Sequence, residues 1–199
     1  MAALLNRRRY IEKKELLPSE YTQLEYIENT SKAYIIPDIN GEADIDIDAQ
    51  ANVIKNSSQV IISSNPKNTG AVWYGESMNT KHWGVANSTC IVPPTTRAKA
   101  FLKFTETGIA GNISTKDGTY FISSPKSEIS PHTTWTIFTP ESYTFNGKLF
   151  SLDIYQNETI VRSFIPCINP ENIIGIYDII TKKFYSSANN DTFLPGPVV

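Results

Sequence analysis

Polar and apolar residues alternate most clearly over residues 44–53. Ile45, Ile47, Ala49, Ala51 and Val53 interleave with Asp44, Asp46, Asp48, Gln50 and Asn52. A period of two sends successive side chains to opposite faces, so this stretch predicts a strand with one buried and one wet face. Shorter apolar or aromatic runs predict further strands at 60–63, 71–74, 82–86, 98–105, 119–123, 134–138, 149–155, 159–165, 173–180 and 183–185. Turn signals separate them: Asn65-Pro66, Lys116-Asp117-Gly118 and Gln156-Asn157-Glu158. The runs at 71–74 and 82–86 predict a hairpin whose polar segment 76–81 makes a longer loop. Pro93-Pro94 and the stretch 125–131 read as long loops within one domain. No window carries helical amphipathicity, heptads or an internal repeat. Short strands with frequent turns predict an all-β fold, a two-sheet antiparallel sandwich of the jelly-roll kind.

Composition sharpens this picture. The chain has 199 residues, enough for one full-sized domain with a real core. It holds 25 Ile against 9 Leu, together with 19 Thr and ten Tyr, residue types that suit a pleated, half-buried surface. Eighteen Ser and 16 Asn supply turn chemistry.

Charge divides the chain. The formal net charge is −2, but residues 1–15 carry Arg7, Arg8, Arg9, Lys13 and Lys14 against Glu12 and Glu15. A basic N-terminal arm (1–15) therefore precedes an acidic body, the sandwich domain (16–199). Three consecutive arginines suit bidentate contacts to carboxylates, so the arm reads as an anchor on another protein. One short arm supplies few phosphate contacts, which argues against nucleic acid as the main partner. No segment approaches the roughly 20 apolar residues of a membrane helix. Met1–Leu5 is apolar and the arginines follow it, the reverse of a secretory signal. The expectation is a protein made and used without membrane insertion or export, with Cys90 and Cys167 as reduced thiols. Two cysteines and two histidines, His82 and His132, are too few for a disulfide scaffold or a Cys- or His-based metal site. No cofactor is expected.

Two constellations are candidates for chemistry. Glu42, Asp44, Asp46 and Asp48 recur at every second residue and share one strand face. Same-face neighbours lie about 6.5–7 Å apart, and leaning side chains could approach the carboxyl spacing of a retaining glycosidase. The plainer reading is a solvent-facing row countered by Lys on the next strand. Calcium would need oxygen ligands from several loops, which one strand does not supply. The second constellation is Trp73, Tyr74 and Trp83, aromatics that could stack on sugar rings from the sandwich rim; packing in the core is the plainer role for Trp73 and Trp83. His82 has no spaced triad partner, and Cys167 reads as a buried, inert thiol.

The two ends of the domain carry a resemblance. Leu17-Pro-Ser-Glu-Tyr21 runs into Glu25-Tyr-Ile-Glu28 and Asn29-Thr30. Towards the other end stand Asn146-Gly147-Lys148, Asp153-Ile-Tyr155, Val161-Arg162, Phe164-Ile-Pro-Cys167, Ile174-Gly-Ile-Tyr-Asp178, Lys183-Phe-Tyr185 and Phe193. These resemble the concanavalin A-like, or LamG-like, jelly-roll domain of phage virion, tail-associated and mobile-element proteins. The match covers residues 17–34 and 146–197; the middle fits only by strand pattern. Where the family has Ser-Thr-Gly-Thr-Gln-Tyr-Ile, this chain has Asn29-Thr-Ser-Lys-Ala-Tyr-Ile35, without the glycine.

The resemblance implies that both ends pair within one sandwich, that Tyr177-Asp178 and Phe184-Tyr185 bracket a terminal hairpin, and that the setting is a phage particle. It implies no catalytic residues. The expected function is a non-enzymatic virion structural protein, an accessory protein decorating the capsid. It would be assembled in the bacterial host cytoplasm and anchored through Arg7, Arg8, Arg9, Lys13 and Lys14 to other virion proteins, foremost the major capsid protein, and could also be a homo-oligomer. The alternative is a glycan-binding module of a head fibre or tail appendage that contacts a host surface glycan through Trp73, Tyr74 and Trp83. A glycosidase using Glu42 with Asp44 or Asp46 is the remote alternative.

Overall fold

The structure, a computed structural model, describes residues 17–40, 43–51, 58–63, 72–77, 80–85, 88–91, 97–105, 108–125, 134–138 and 145–199. Sixteen strands are assigned among them: β1 (Thr22–Gln23), β2 (Ile27–Asn29), β3 (Asp44–Ala51), β4 (Ser58–Ser63), β5 (Val72–Ser77), β6 (Thr80–Val85), β7 (Ser88–Ile91), β8 (Arg97–Thr105), β9 (Gly108–Thr115), β10 (Gly118–Pro125), β11 (Thr136–Ile137), β12 (Gly147–Gln156), β13 (Thr159–Ile168), β14 (Ile174–Asp178), β15 (Lys183–Tyr185) and β16 (Leu194–Pro195). The described residues contain no helix, and so none long and apolar enough to cross a membrane.

The chain folds as an all-β, two-sheet antiparallel sandwich. The larger sheet runs β10-β9-β8-β3-β12-β13-β14-β15, with β1, β2 and β16 attached, and the smaller runs β11-β4-β5-β6-β7. Alternation decides what enters the core. In β3, Ile45, Ile47, Ala49 and Ala51 turn inward; in β8, Ala98, Ala100 and Leu102 do the same. They join Leu149, Leu152, Ile154 and Phe164 from the large sheet and Ile61, Ile62 and Ile137 from the small one in a single apolar cluster. Phe138 and Phe145 stack with ring centroids 5.4 Å apart, and Phe193 tilts against Phe138 at 5.6 Å. Trp135, fully buried, meets Phe104 edge-on at 6.1 Å. Face-to-face burial of the two inner faces is the main stabilising term of such a fold.

Both ends of the domain are sewn into the large sheet. β1 pairs with β13; β2 pairs with β12 on one side and β16 on the other. Leu24 bridges Val198, and Glu25 N–H donates to the Pro197 carbonyl at 2.8 Å. The β14–β15 hairpin sets Tyr177 opposite Phe184 and Asp178 opposite Lys183, as the motif implied. The β12–β13 connection is a two-residue turn with Asn157 and Glu158 at φ 49° and 62°, the left-handed pair that matches strand twist.

Three expectations need correction. The hairpin of β5 and β6 has no long loop: its strands extend through the polar segment, and Ser77 pairs with Thr80. The segment 76–81 is mostly polar and lacks the apolar–polar alternation by which a sequence predicts a strand. A whole strand, β9, lies between the runs at 98–105 and 119–123, where the pattern predicts no strand; its ladder with β8 and β10 holds it in place of side-chain bulk. The strand expected over 134–138 narrows to Thr136–Ile137, and Phe138 takes φ 60°, which turns the backbone out of the ladder.

Candidate functional site

The motif residues explain themselves first, and their roles are architectural. Asp178 is fully buried. Its Oδ1 accepts the backbone N–H groups of Ser163 at 2.9 Å and Ile180 at 3.0 Å, and its Oδ2 accepts the Thr181 hydroxyl. Arg162 lies 3.4 Å from the same Oδ2 and donates to the carbonyls of Val161, Pro37 and Asp38. The carboxylate thus closes the turn after β14 and ties it to β13. Gly147 and Gly175 are required by close approach. An added Cβ at Gly147, whose φ is 155°, would stand 2.1 Å from the Gln50 carbonyl, and one at Gly175 would stand 2.2 Å from the Tyr185 carbonyl. The opening and closing motifs touch: the Tyr21 ring lies 5.1 Å from Tyr177 and 5.8 Å from Phe184. Cys167 is buried among them, and burial pushes its thiol up to about 12.

The loop after β2, which has no glycine where the sequences it resembles carry one, closes by side-chain chemistry. Ser31 stands in the glycine's place and is not among the residues with positive φ. The Asn29 Oδ1 accepts the Ser31 N–H at 3.2 Å, while its Nδ2 donates to the carbonyls of Ala33 and Phe145, each at 3.0 Å. An Asx-type turn does here what glycine's conformational freedom does elsewhere.

Asp44, Asp46 and Asp48 share one face of β3, but Asp48 is buried rather than solvent-facing, and basic residues of the next strand cover it. Arg97 of β8 grips Asp48 with two bonds of 3.1 Å, and Lys99 approaches it at 3.7 Å. Arginine does the work that lysine alone was expected to do, because its fork meets both carboxylate oxygens. The hydrogen bond to Asp48 raises the Arg97 pKa further, and the guanidinium lies 3.7 Å from the centre of the Phe150 ring. Asp44 accepts the Phe104 N–H at 2.8 Å; partial burial raises its pKa and this bond opposes the rise. Glu42 lies outside the described residues, as do Arg7, Arg8, Arg9, Lys13 and Lys14. Among the described residues no three His, Cys, Asp or Glu side chains come together as a metal site.

For the aromatic candidates the backbone pairing is clear. Tyr74 of β5 stands opposite Trp83 of β6, and Trp73 stands opposite Gly84 on one side and Val60 on the other.

A different set of aromatics comes together on the outer face of the large sheet. Because Ala100 and Leu102 turn inward, Phe101 turns outward; because Ile113 and Ile122 turn inward, Asn112 and Phe121 turn outward. Register puts these three in one transverse row: Phe101 opposite Asn112, Asn112 opposite Phe121. The same row continues to Asp46 on β3 and Asp153 on β12. The Phe121 side of this row forms an open groove of about 460 Å³ with Phe101, Ala110, Asn112 and Ser123. Phe121 is 86% exposed. One signal in the sequence pointed here: Phe101 stands at an outward position between Lys99 and Lys103, where alternation calls for a polar residue.

No family model matches the sequence, and no curated protein matches it. Among solved structures, the full extracellular region of zebrafish Gpr126/Adgrg6 is similar over 88% of this chain and 27% of its own length, with 9% sequence identity and a TM-score of 0.47. The chain spans just over a quarter of that protein's extracellular region.

Proposed function

We propose that the chain is a non-enzymatic structural protein of a bacteriophage particle, an accessory protein decorating the capsid. The observation that carries this reading is the pair of terminal motifs, whose residues meet: Tyr21 from the opening motif packs on Tyr177 and Phe184 from the closing one. Residues shared for the sake of closing a sandwich support kinship of the whole concanavalin A-like domain rather than a chance match. In the sequence the basic segment precedes Tyr21 and β1. Arg7, Arg8 and Arg9, with Lys13 and Lys14, would dock on acidic and carbonyl groups of the major capsid protein. Engagement of Asp48 by Arg97 and of Asp44 by a backbone N–H supports a structural rather than a catalytic use of the acidic strand.

The test is deletion of residues 1–15 in a particle-forming host, with copy number in purified particles read by mass spectrometry. Loss of the truncated chain from particles is expected. Unchanged incorporation would remove the anchor, and absence of the intact chain from particles would remove the virion role. The second reading, a glycan-binding module on a head fibre or tail appendage, draws support from the cross-strand pairing of Tyr74 with Trp83. Sugar binding that survives both Trp73→Ala and Trp83→Ala would count against those residues.

A further inference from the structure

We propose that the outer face of β8, β9 and β10 is a binding surface for a neutral oligosaccharide, with Phe101 and Phe121 as stacking platforms and Asn112 as the hydrogen-bonding group between them. This surface lies on a different sheet from Trp73, Tyr74 and Trp83, and it does not depend on where the protein sits in a particle.

Three observations on this face favour a sugar. The first is spacing. Phe101 and Phe121 occupy the same register row two strands apart, which sets their backbones about 9.5 Å from each other. That is comparable to a disaccharide repeat, so alternate rings of a glycan lying across the strands would meet alternate phenyl faces. The amide of Asn112 falls beneath the intervening ring, where it can donate and accept at once.

The second is relief. Ala110 and Ser123 are small, so the groove stays open beside the Phe121 ring. A pyranose offers an apolar face of C–H groups edged by hydroxyls, and a phenyl ring bordered by small polar side chains matches both parts.

The third is charge. Among the described residues the cations of β8 lie beside carboxylates: Lys103 pairs with Glu158 at 3.0 Å, and Arg97 and Lys99 share Asp48 at 3.1 and 3.7 Å. The centre of the groove carries no charged side chain, which suits an uncharged polyhydroxylated ligand better than an acidic polymer. The row then runs to Asp46 and Asp153, carboxylates able to accept from sugar hydroxyls. The Asp153 carboxylate already accepts the Ser163 hydroxyl at 2.7 Å, which holds it in place. A second copy of the chain suits this face less well. A stable interface takes about 20–30 residues a side around an apolar core, whereas the apolar content here is two rings.

The experiment uses the full chain, isotope-labelled, titrated with cellohexaose, chitohexaose, laminarihexaose and maltohexaose and followed by NMR. The expected result is saturable shifts for at least one of them in the Asn112 side-chain amide and the backbone of β8–β10. Phe121→Ala should weaken that binding about tenfold or more, as truncation of an aromatic anchor does. Because Phe121 is exposed, this variant should keep the wild-type melting temperature, which separates a lost contact from a lost fold. No shift with any of the four sugars would overturn the proposal. So would shifts confined to β5 and β6, or binding undiminished in Phe121→Ala. Concentration-dependent self-association abolished by Phe121→Ala, without sugar binding, would assign the face to a second copy instead.

Discussion

Replacing Asp178 tests whether this buried carboxylate holds the end of the large sheet together. In Asp178→Ala, the Ser163 N–H loses its acceptor inside the protein. A buried polar group left without a partner costs about 1–3 kcal/mol. The Ile180 N–H and the Thr181 hydroxyl also lose their acceptor, but both residues are exposed and water can replace it. Breaking a buried ion pair from one side costs about 3–5 kcal/mol. Here the figure is reduced, because Arg162 keeps its bonds to the carbonyls of Pro37, Val161 and Asp38 and its side chain is 17% exposed. A total of about 4 kcal/mol follows, a large share of the roughly 5–15 kcal/mol that holds a domain folded.

Asp178→Asn separates the two contributions. It keeps an oxygen for the backbone donors and loses only the charge facing Arg162, so it should cost about half as much. Equilibrium urea unfolding is the assay, with the fluorescence of the buried Trp135 among the reporters. With a slope of about 2 kcal/mol/M, the Ala variant should shift the midpoint down by about 2 M and the Asn variant by about 1 M. A shift below about 0.5 M for Ala, or equal shifts for the two variants, would refute the assignment of the cost to the backbone donors.

Gly147→Ala should be among the most damaging single substitutions, because the new Cβ meets the Gln50 carbonyl and φ is 155°; a loss of several kcal/mol, about 3 or more, should show in the same unfolding assay. Arg97→Lys cannot reproduce the two-point grip on Asp48, and with Arg97 49% exposed the loss should be about 1 kcal/mol, checked by melting temperature at low and high salt. Alkaline pH should destabilise the fold through Cys167. Its folded pKa of about 12 exceeds the ordinary 9.0, so its contribution is full below about pH 9 and is lost as pH rises towards 12. Tyr21 and Tyr177, both raised by burial, act in the same direction. Urea midpoints between pH 8 and 11 should fall less steeply in Cys167→Ala than in the wild type, and parallel curves would contradict the assignment.

Much of the architecture was legible in advance. The inward set of β3 follows from alternation alone, and the tight β12–β13 turn follows from Gln156-Asn157-Glu158. β9 was not legible. Gly108-Ile-Ala-Gly-Asn-Ile-Ser-Thr115 has two glycines and only two large apolar residues, so its strand character comes from being hydrogen-bonded on both sides. The terminal motifs were visible as a resemblance, but their reasons were not. Asp178 acts on Ser163, 15 residues away, and Gly147 is required by a carbonyl of β3 nearly a hundred residues earlier. The outer-face row was the least visible of all. Phe101 hinted at it, while Phe121 sits in the run Tyr120-Phe121-Ile122, where the pattern does not say which side is out.

The chain's own pattern determined that this is a β-sandwich and which residues of β3 and β8 face its core, because alternation is a local property of an extended backbone. Which outward residues become neighbours is not local. It depends on the order and register of strands far apart in the chain, and a shift of one residue would send each side chain to the other face. Only the tertiary structure could decide that Phe101, Asn112 and Phe121 share a row, that Arg97 rather than a lysine holds Asp48, and that the two terminal motifs close on each other.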